Sequence, residues 1–464
     1  MRKTKIVCTI GPSTRQPQVI RSLIEAGMNV ARLNLSHEEY NRHAATCEMI
    51  RKVRAELNKH VAILLDTKGP EVRVGKLVQP IELVEGERVE LISGNEQKDG
   101  RIPIRLPQLS AVLRKGDEIR INDGLIGLSV LSVDNEKVTC KVLTDGELCS
   151  NKGVNFPNID IGLPFLSERD KSDLLFGIEQ KVDFVAASFV RTEQDIIDMK
   201  RFLFENGGGT IKVIAKIENR QSVDNIDSIL ASADGVMIAR GDLGVEIDYS
   251  KIPAIQKSII KKAYMLGKPA ITATQMLESM IHSPRPTRAE TSDIANAVFD
   301  GTSAVMLSGE TAVGEYPIEA VRSMAEIALT AENSINYEAK LLSRPYTKGS
   351  DKANAVSHAA CVAAVSVGAK AIFSLSDDDM TAAYLAKFRP PCDIIALSGR
   401  TESLLHNSLN WGVTPLKTLE DGYQRTSSAS VLKSLEIYKG DKVVAVENTL
   451  TDGQIEYGMK ILTV

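Results

Sequence analysis

Eight short, nearly unbroken apolar runs punctuate the chain: "KIVCTI" (5–10), "NVARLNL" (29–35), "VAILLDT" (61–67), "FVAASFV" (184–190), "KVIAKI" (212–217), "GVMIAR" (235–240), "PAITAT" (269–274) and "AVMLS" (304–308). A strand with one wet face alternates apolar and polar residues, because successive side chains point to opposite faces. Runs this continuous suit parallel strands covered on both faces. Helix signals fall between them. Ser13 or Thr14 is placed to cap a helix that Gly27 stops. "SERD" (167–170) and "TEQD" (192–195) set a carboxylate three residues after a capping hydroxyl. Eight strand–helix units are the number that closes a (β/α)8 TIM barrel.

One connection breaks the rhythm. More than a hundred residues separate the third run from the fourth, with alternating patterns such as "GERVELI" and "DEIRINDGLIGLSVLSV" and no helical period. This predicts an inserted β-barrel lid domain over 70–163, dividing the barrel into 1–69 and 164–345. Beyond the polar stretch "SRPYTKGSDKANA" (343–355), "AKAIFSL", "CDIIALSG", "DKVVAVE" and "MKILTV" alternate with helices. Residues 346–464 therefore read as a separate C-terminal α/β domain, and 464 residues are too many for one compact core.

Composition narrows the function. A net charge of −4 offers no basic surplus for nucleic acid, and a single Trp gives little support to stacking platforms. The six cysteines lack C-x-x-C spacing, which argues against zinc or a disulfide framework and predicts a reducing, cytoplasmic location. The basic-then-apolar start ends at Gly11-Pro12, too soon for a signal peptide, and no segment approaches a membrane span.

Chemistry in such barrels sits at the C-terminal strand ends, and polar residues concentrate there. In "IAKIENR" (214–220), Lys216 and Glu218 are two apart and share one strand face. A lone K-x-E is usually a satisfied ion pair, since buried charge is costly unless paired or liganded. Here it has company. The second run ends in Arg32, Asn34, Ser36 and His37, and the third in Asp66, Thr67 and Lys68, followed by Glu71 and Arg73. The sixth runs into Arg240, Gly241, Asp242 and Glu246, the seventh ends in Thr272 and Thr274, and the eighth in Ser308 and Glu310. Glu218 and Asp242 are two carboxylates at neighbouring strand ends, as a hard divalent ion such as Mg2+ requires. Arg32, Arg73 and Lys216 are cations expected to converge on an anion, and Gly241 lets backbone amides approach it. Cations plus a metal, with no nucleophile–base pair and no Walker motif, point to phosphoryl transfer by positioning and charge neutralisation.

The stretches "KIVCTIGPST", "GMNVARLNLSH", "LLDTKGPEVR", "NKGVNFP", "DFVAASFVR", "IAKIENR", "MIARGDLGVE", "ITATQMLESMIHSPRPTRAE" and "VMLSGETAVGEYPIEAV" together resemble the pyruvate kinase family, in order and across the barrel and insertion. The resemblance implies phosphoryl transfer from phosphoenolpyruvate to ADP, then protonation of enolpyruvate. It implies that Lys216 stabilises the phosphoryl group and the enolate. Glu218 and Asp242 would hold Mg2+ (Mn2+ as a substitute), and Asn34, Ser36, Asp66 and Thr67 would hold K+. Arg32, Gly241, Asp242 and Thr274 would bind the substrate, while Asn34, Leu35, Ser36, His37, Arg73 and Lys152 would contact the nucleotide. Thr274, Ser308 and Glu310 are the candidates for ordering a proton-donating water. An acidic residue at Glu71, where K+-independent members carry lysine, implies K+ dependence. A homotetramer is expected, with "RPTRAE" (285–290) at a subunit contact. Where relatives bind a phosphorylated sugar, this chain reads "SLSDDDMTAAYLAKFRP". Asp377, Asp378 and Asp379 stand at the polar and glycine positions and Met380 at the basic one. Carboxylates there repel phosphate, so fructose 1,6-bisphosphate is not expected to activate through this loop. A magnesium-dependent aldolase or lyase is the rival reading, but it would need no Arg73, Lys152 or large lid. A non-catalytic paralogue should have lost Lys216 or a metal carboxylate, and both remain.

Overall fold

The computed structural model describes residues 1–36, 38–343, 351–418, 420, 422–451 and 454–464. The expected nucleotide contact His37 and the expected domain break at 345/346 lie outside them. All eight apolar runs form strands: β1 (Lys5–Thr9), β2 (Val30–Asn34), β3 (Ala62–Asp66), β4 (Phe184–Ala187), β5 (Lys212–Ile217), β6 (Gly235–Ala239), β7 (Ala270–Ala273) and β8 (Ala304–Leu307). They pair in parallel, each with its sequence neighbour, and β8 pairs with β1 to close the barrel. The interior is packed by Val7, Leu64, Phe184, Ile214, Met237, Ile271 and Met306, and an outer apolar layer buries the helices against the strands. That double burial explains the unbroken apolar runs.

The capping signals behave unevenly. Ser167 Oγ accepts the Asp170 amide and the Asp170 carboxylate returns the bond to the Ser167 amide, while Asp195 accepts the Thr192 amide at 3.1 Å. Ser13 and Thr14 cap nothing. The first helix starts at Pro17 behind Gln16, and Thr14 Oγ1 instead donates to Thr311 O at 2.8 Å. Proline at a first helical position needs no capped amide, so the hydroxyl is available to tie β1 to the loop after β8.

The insertion is a seven-stranded sheet running from Val72–Arg73 to Ile102–Ile104 across its width, with a two-stranded ribbon, around one apolar core. Gly69, with φ +73, turns the chain out of the barrel mouth, and a Cβ there would lie 2.9 Å from Ser188 Cβ. The C-terminal sheet is ordered β11-β10-β9-β12-β13: β9 is Ala371–Ser374, β10 Asp393–Ser398, β11 Val413–Lys417, β12 Lys442–Thr451 and β13 Gln454–Thr463. This domain plugs the barrel floor. Leu405 and Leu409 join the barrel's interior cluster, and Lys3 Nζ donates to the carbonyls of Pro390 and Pro391 at 2.9 and 2.7 Å. Among the described residues no helix is long and apolar enough to cross a membrane.

Candidate active site

Strand alternation turns Lys216 into the mouth at the top of β5, and Glu218 follows just beyond it. The Lys216 ammonium lies 2.8 Å from Glu218 Oε1, 3.1 Å from Asp66 Oδ1 and 2.7 Å from Ser188 Oγ. Arg32, from the top of β2, gives its Nε–H to Asp66 Oδ2 at 2.7 Å and an Nη1–H to Thr9 Oγ1 at 2.9 Å. All of these groups are buried. Burial disfavours the Lys216 ammonium, but Asp66, Glu218 and Asp242 outweigh it and hold the lysine protonated above its ordinary range. Burial likewise opposes the Asp66 carboxylate, and Arg32 and Lys216 override it to keep that pKa low. Glu218 goes the other way. Burial, against the pull of Lys216 and with the charge of Asp242 added, raises its carboxyl.

Three carboxylates (Asp66, Glu218, Asp242) thus face two cations (Arg32, Lys216), leaving the mouth short of positive charge. Glu218 Oε2 accepts the Phe189 amide at 2.6 Å, and Glu218 Oε1 faces the Lys216 ammonium at 2.8 Å. A hard divalent ion fits this excess of carboxylate oxygens. Among the described residues no group of three or more His, Cys, Asp or Glu side chains is placed to hold a metal ion, which leaves Glu218 and Asp242 as the carboxylates that could do so. Asn34, Ser36, Asp66 and Thr67 offer only hard oxygens, with Asn34 Oδ1 accepting the Ser36 amide at 3.0 Å. That set suits a weakly hydrated monovalent ion, and the Leu35 amide is fixed on Asp66 O at 3.0 Å.

The opposite rim is built from β6, β7 and β8. The Gly241 amide donates to Thr274 Oγ1 at 2.8 Å, and both Thr274 and Gln275 have left-handed backbones, φ 65 and 54. Among the described residues, buried Ser308 Oγ has no hydrogen-bond partner. Glu310 uses both oxygens on backbone, accepting the Leu277 amide at 3.0 Å and the Ser308 amide at 2.7 Å, and burial raises its carboxyl. Two residues read at loaded strand ends turn out to be framework. Arg240 clamps Thr274 O at 2.7 Å and Asp293 at 2.7 Å, and Thr272 pairs with Thr302 inside the barrel.

Arg73 does not join the Lys216 cluster. It sits on the first strand of the insertion, 2.8 Å from Glu71, and gives an Nη1–H to Asn151 O at 2.8 Å. Its register partner is Gly153, so half-buried Lys152 stands beside it. The inserted domain thus places two basic residues side by side, Arg73 on one strand and Lys152 just ahead of the adjoining one. Asn155 Nδ2 reaches from the lid to Glu246 on the barrel at 3.2 Å, and a cleft of about 480 Å³ lined by Glu71, Asp123, Asp242 and Arg220 opens between the two bodies. Sequence reasoning passed over Ser188 and Phe189, hidden in the apolar run "FVAASFV". The signal was a hydroxyl at a barrel strand's C-terminal end.

A (β/α)8 barrel with an inserted β domain, whose mouth gathers Arg32 and Lys216 with Asp66 and Glu218, has the fold and charges that suit a transferase of phosphoryl type. Family comparison supports this: the model described as "Pyruvate kinase, barrel domain" matches residues 1–321, and "Pyruvate kinase, alpha/beta domain" matches 354–457. A pyruvate kinase of Clostridium acetobutylicum is 44% identical over 461 residues, covering 97% of either chain. One from Sporosarcina psychrophila is 44% identical over 453 residues, covering 96% of this chain and 77% of the relative. The crystal structure of a pyruvate kinase from Cryptosporidium parvum superposes with a TM-score of 0.93 at 37% identity, covering 100% of this chain and 96% of that one. The chain belongs to the pyruvate kinase family and is a phosphotransferase.

Proposed function

We propose that the chain moves the phosphoryl group of phosphoenolpyruvate to ADP, giving pyruvate and ATP at the last step of glycolysis, in the cytoplasm. The observation that carries this reading is the Lys216 ammonium, buried in the mouth between Asp66, Glu218 and Ser188. Such a fixed charge stabilises a phosphoryl group in flight, and then the enolate oxygen left behind, without reorganising. Arg32 binds the phosphoryl oxygens from the β2 side. Gly241, Asp242 and Thr274 line the phosphoenolpyruvate pocket on the opposite rim. Mg2+, or Mn2+ in its place, held by Glu218 and Asp242, would supply charge neutralisation at the transferring group. K+, held by Asn34, Ser36, Asp66 and Thr67, would add a further positive charge beside it.

Arg73 and Lys152 carry the nucleotide's phosphates down with the lid, onto Asn34, Leu35 and Ser36, and exclude water from the labile group. On the far side, Thr274 and the unpartnered Ser308 hydroxyl order the water that protonates the enolate, with Glu310 holding the Ser308 backbone in place. A homotetramer suits the surface. β13 is an open edge strand showing Ile455, Met459 and Ile461 to solvent, and "RPTRAE" is largely exposed. The test is a coupled assay of phosphoenolpyruvate consumption, with and without ADP, Mg2+ and K+. Turnover only with nucleotide and both cations is expected. Nucleotide-independent turnover would hand the site to the lyase reading.

A further inference from the structure

The ammonium of Lys216 has three hydrogens and three neighbours, and two of those neighbours have other duties. Glu218 also holds the Phe189 amide and would ligate a metal ion, and Asp66 is shared with Arg32 at 2.7 Å. The third neighbour is Ser188. Its side chain is 2% exposed, its Oγ lies 2.7 Å from Lys216 Nζ, and it gives its own proton to Thr67 O at 2.7 Å. The Ser188 amide in turn donates to Thr67 Oγ1 at 3.3 Å, so β3 grips this serine from two sides. Asp66 Oδ1, at 3.2 Å, is its second acceptor, and with its proton given to Thr67 O or Asp66 the hydroxyl presents only lone pairs to the lysine.

The next residue completes an elbow. Phe189 is left-handed at φ 56, a costly conformation for a bulky residue, and its amide donates to Glu218 Oε2 at 2.6 Å. Gly69 makes room, since a Cβ there would lie 2.8 Å from Phe189 Cδ2. One dipeptide therefore fixes both members of the Lys216–Glu218 pair.

We propose that Ser188 is the positioning residue for Lys216, an inference that rests on the phosphoryl-transfer reading. A carboxylate partner steadies the ammonium but also cancels its charge. A neutral hydroxyl steadies it and leaves the charge for the substrate. When Glu218 turns to a metal, Ser188 keeps the ammonium aimed.

The test compares Ser188→Ala, Ser188→Cys and Ser188→Thr in the full chain, measuring kcat, KM for phosphoenolpyruvate, Mn2+ affinity by electron paramagnetic resonance, and thermal unfolding. Losing a hydrogen bond to a charged group predicts a fall in kcat of about thirtyfold for alanine and about tenfold or more for cysteine. KM and Mn2+ affinity should stay within about threefold, and threonine, which keeps the hydroxyl, should retain most of kcat. Alanine or cysteine variants within threefold of wild-type kcat would overturn the proposal. So would parallel losses of Mn2+ affinity and unfolding temperature, which mark a merely structural serine. If the wild-type enzyme itself fails to turn over phosphoenolpyruvate with ADP, the functional reading falls instead.

Discussion

Replacing Asp379 by asparagine removes one charge and almost no volume from the junction between the C-terminal domain and the barrel. Asp379 Oδ2 sits 2.9 Å from Lys212 Nζ, at the base of the strand that carries Lys216, and 3.1 Å from His406 Nδ1. The Asp379 side chain is 18% exposed, Lys212 28% and His406 11%. Surface pairs contribute up to about 1 kcal/mol, and breaking a fully buried pair costs about 3–5 kcal/mol. This intermediate site predicts a loss of about 2 kcal/mol for Asp379→Asn, and a coupling of about 1 kcal/mol between Asp379→Asn and Lys212→Met in a double-mutant cycle. Burial opposes the carboxylate, but His406 and Lys212 prevail and hold its pKa well below the usual range. A depressed carboxylate stabilises above its unfolded pKa of about 3.9 and loses that contribution as pH falls through the folded value. The gap between wild type and variant should therefore persist at neutral pH and close only in strong acid. The only tryptophan, Trp411, packs 4.3 Å from the Arg389 guanidinium at this same junction, so its fluorescence in a denaturant titration reports the event. Superimposable transitions, or strictly additive single effects, would refute the reasoning.

Three further outcomes follow from the same geometry. Replacing K+ by a non-binding organic cation should abolish most turnover, because Glu71 is engaged with Arg73 and no lysine stands there to supply the charge; undiminished activity refutes it. Fructose 1,6-bisphosphate should not activate, since Asp378 Oδ1 already occupies the amides of Met380 and Thr381 at 3.1 and 3.0 Å, where a phosphate would dock; an activation curve abolished by mutating Thr381 would contradict this. Glu246→Ala, which cuts the 3.2 Å tie to Asn155, should change kcat and KM together by about tenfold or less if the lid is gated there; unaltered kinetics would remove Glu246 from lid closure.

The barrel was legible because burial on both faces writes an unbroken apolar run, and every one of the eight runs became a strand. The Lys216–Glu218 pair was legible for an equally simple reason: a period of two fixes which residues share a face. What the sequence hides is partner choice. Arg73 reads as one more cation for the mouth, but it belongs to a lid strand, where Glu71 is its nearest charge. The carboxylates of "DDD" read as a repulsive cluster, yet each is consumed by a different partner: Ser398 and Gly399 for Asp377, the helix amides for Asp378, Lys212 and His406 for Asp379. Ser188 escaped because a hydroxyl inside an apolar run resembles an ordinary strand residue until β3 and β5 are laid beside it.

Lys216→Ala is the most direct test of the whole account. With phosphoenolpyruvate, ADP, Mg2+ and K+ present, the loss of this preorganised charge should lower kcat by about a thousandfold or more, while the unfolding transition and Mn2+ binding persist. A variant that folds, binds Mn2+ and still turns over within about tenfold of wild type would contradict it.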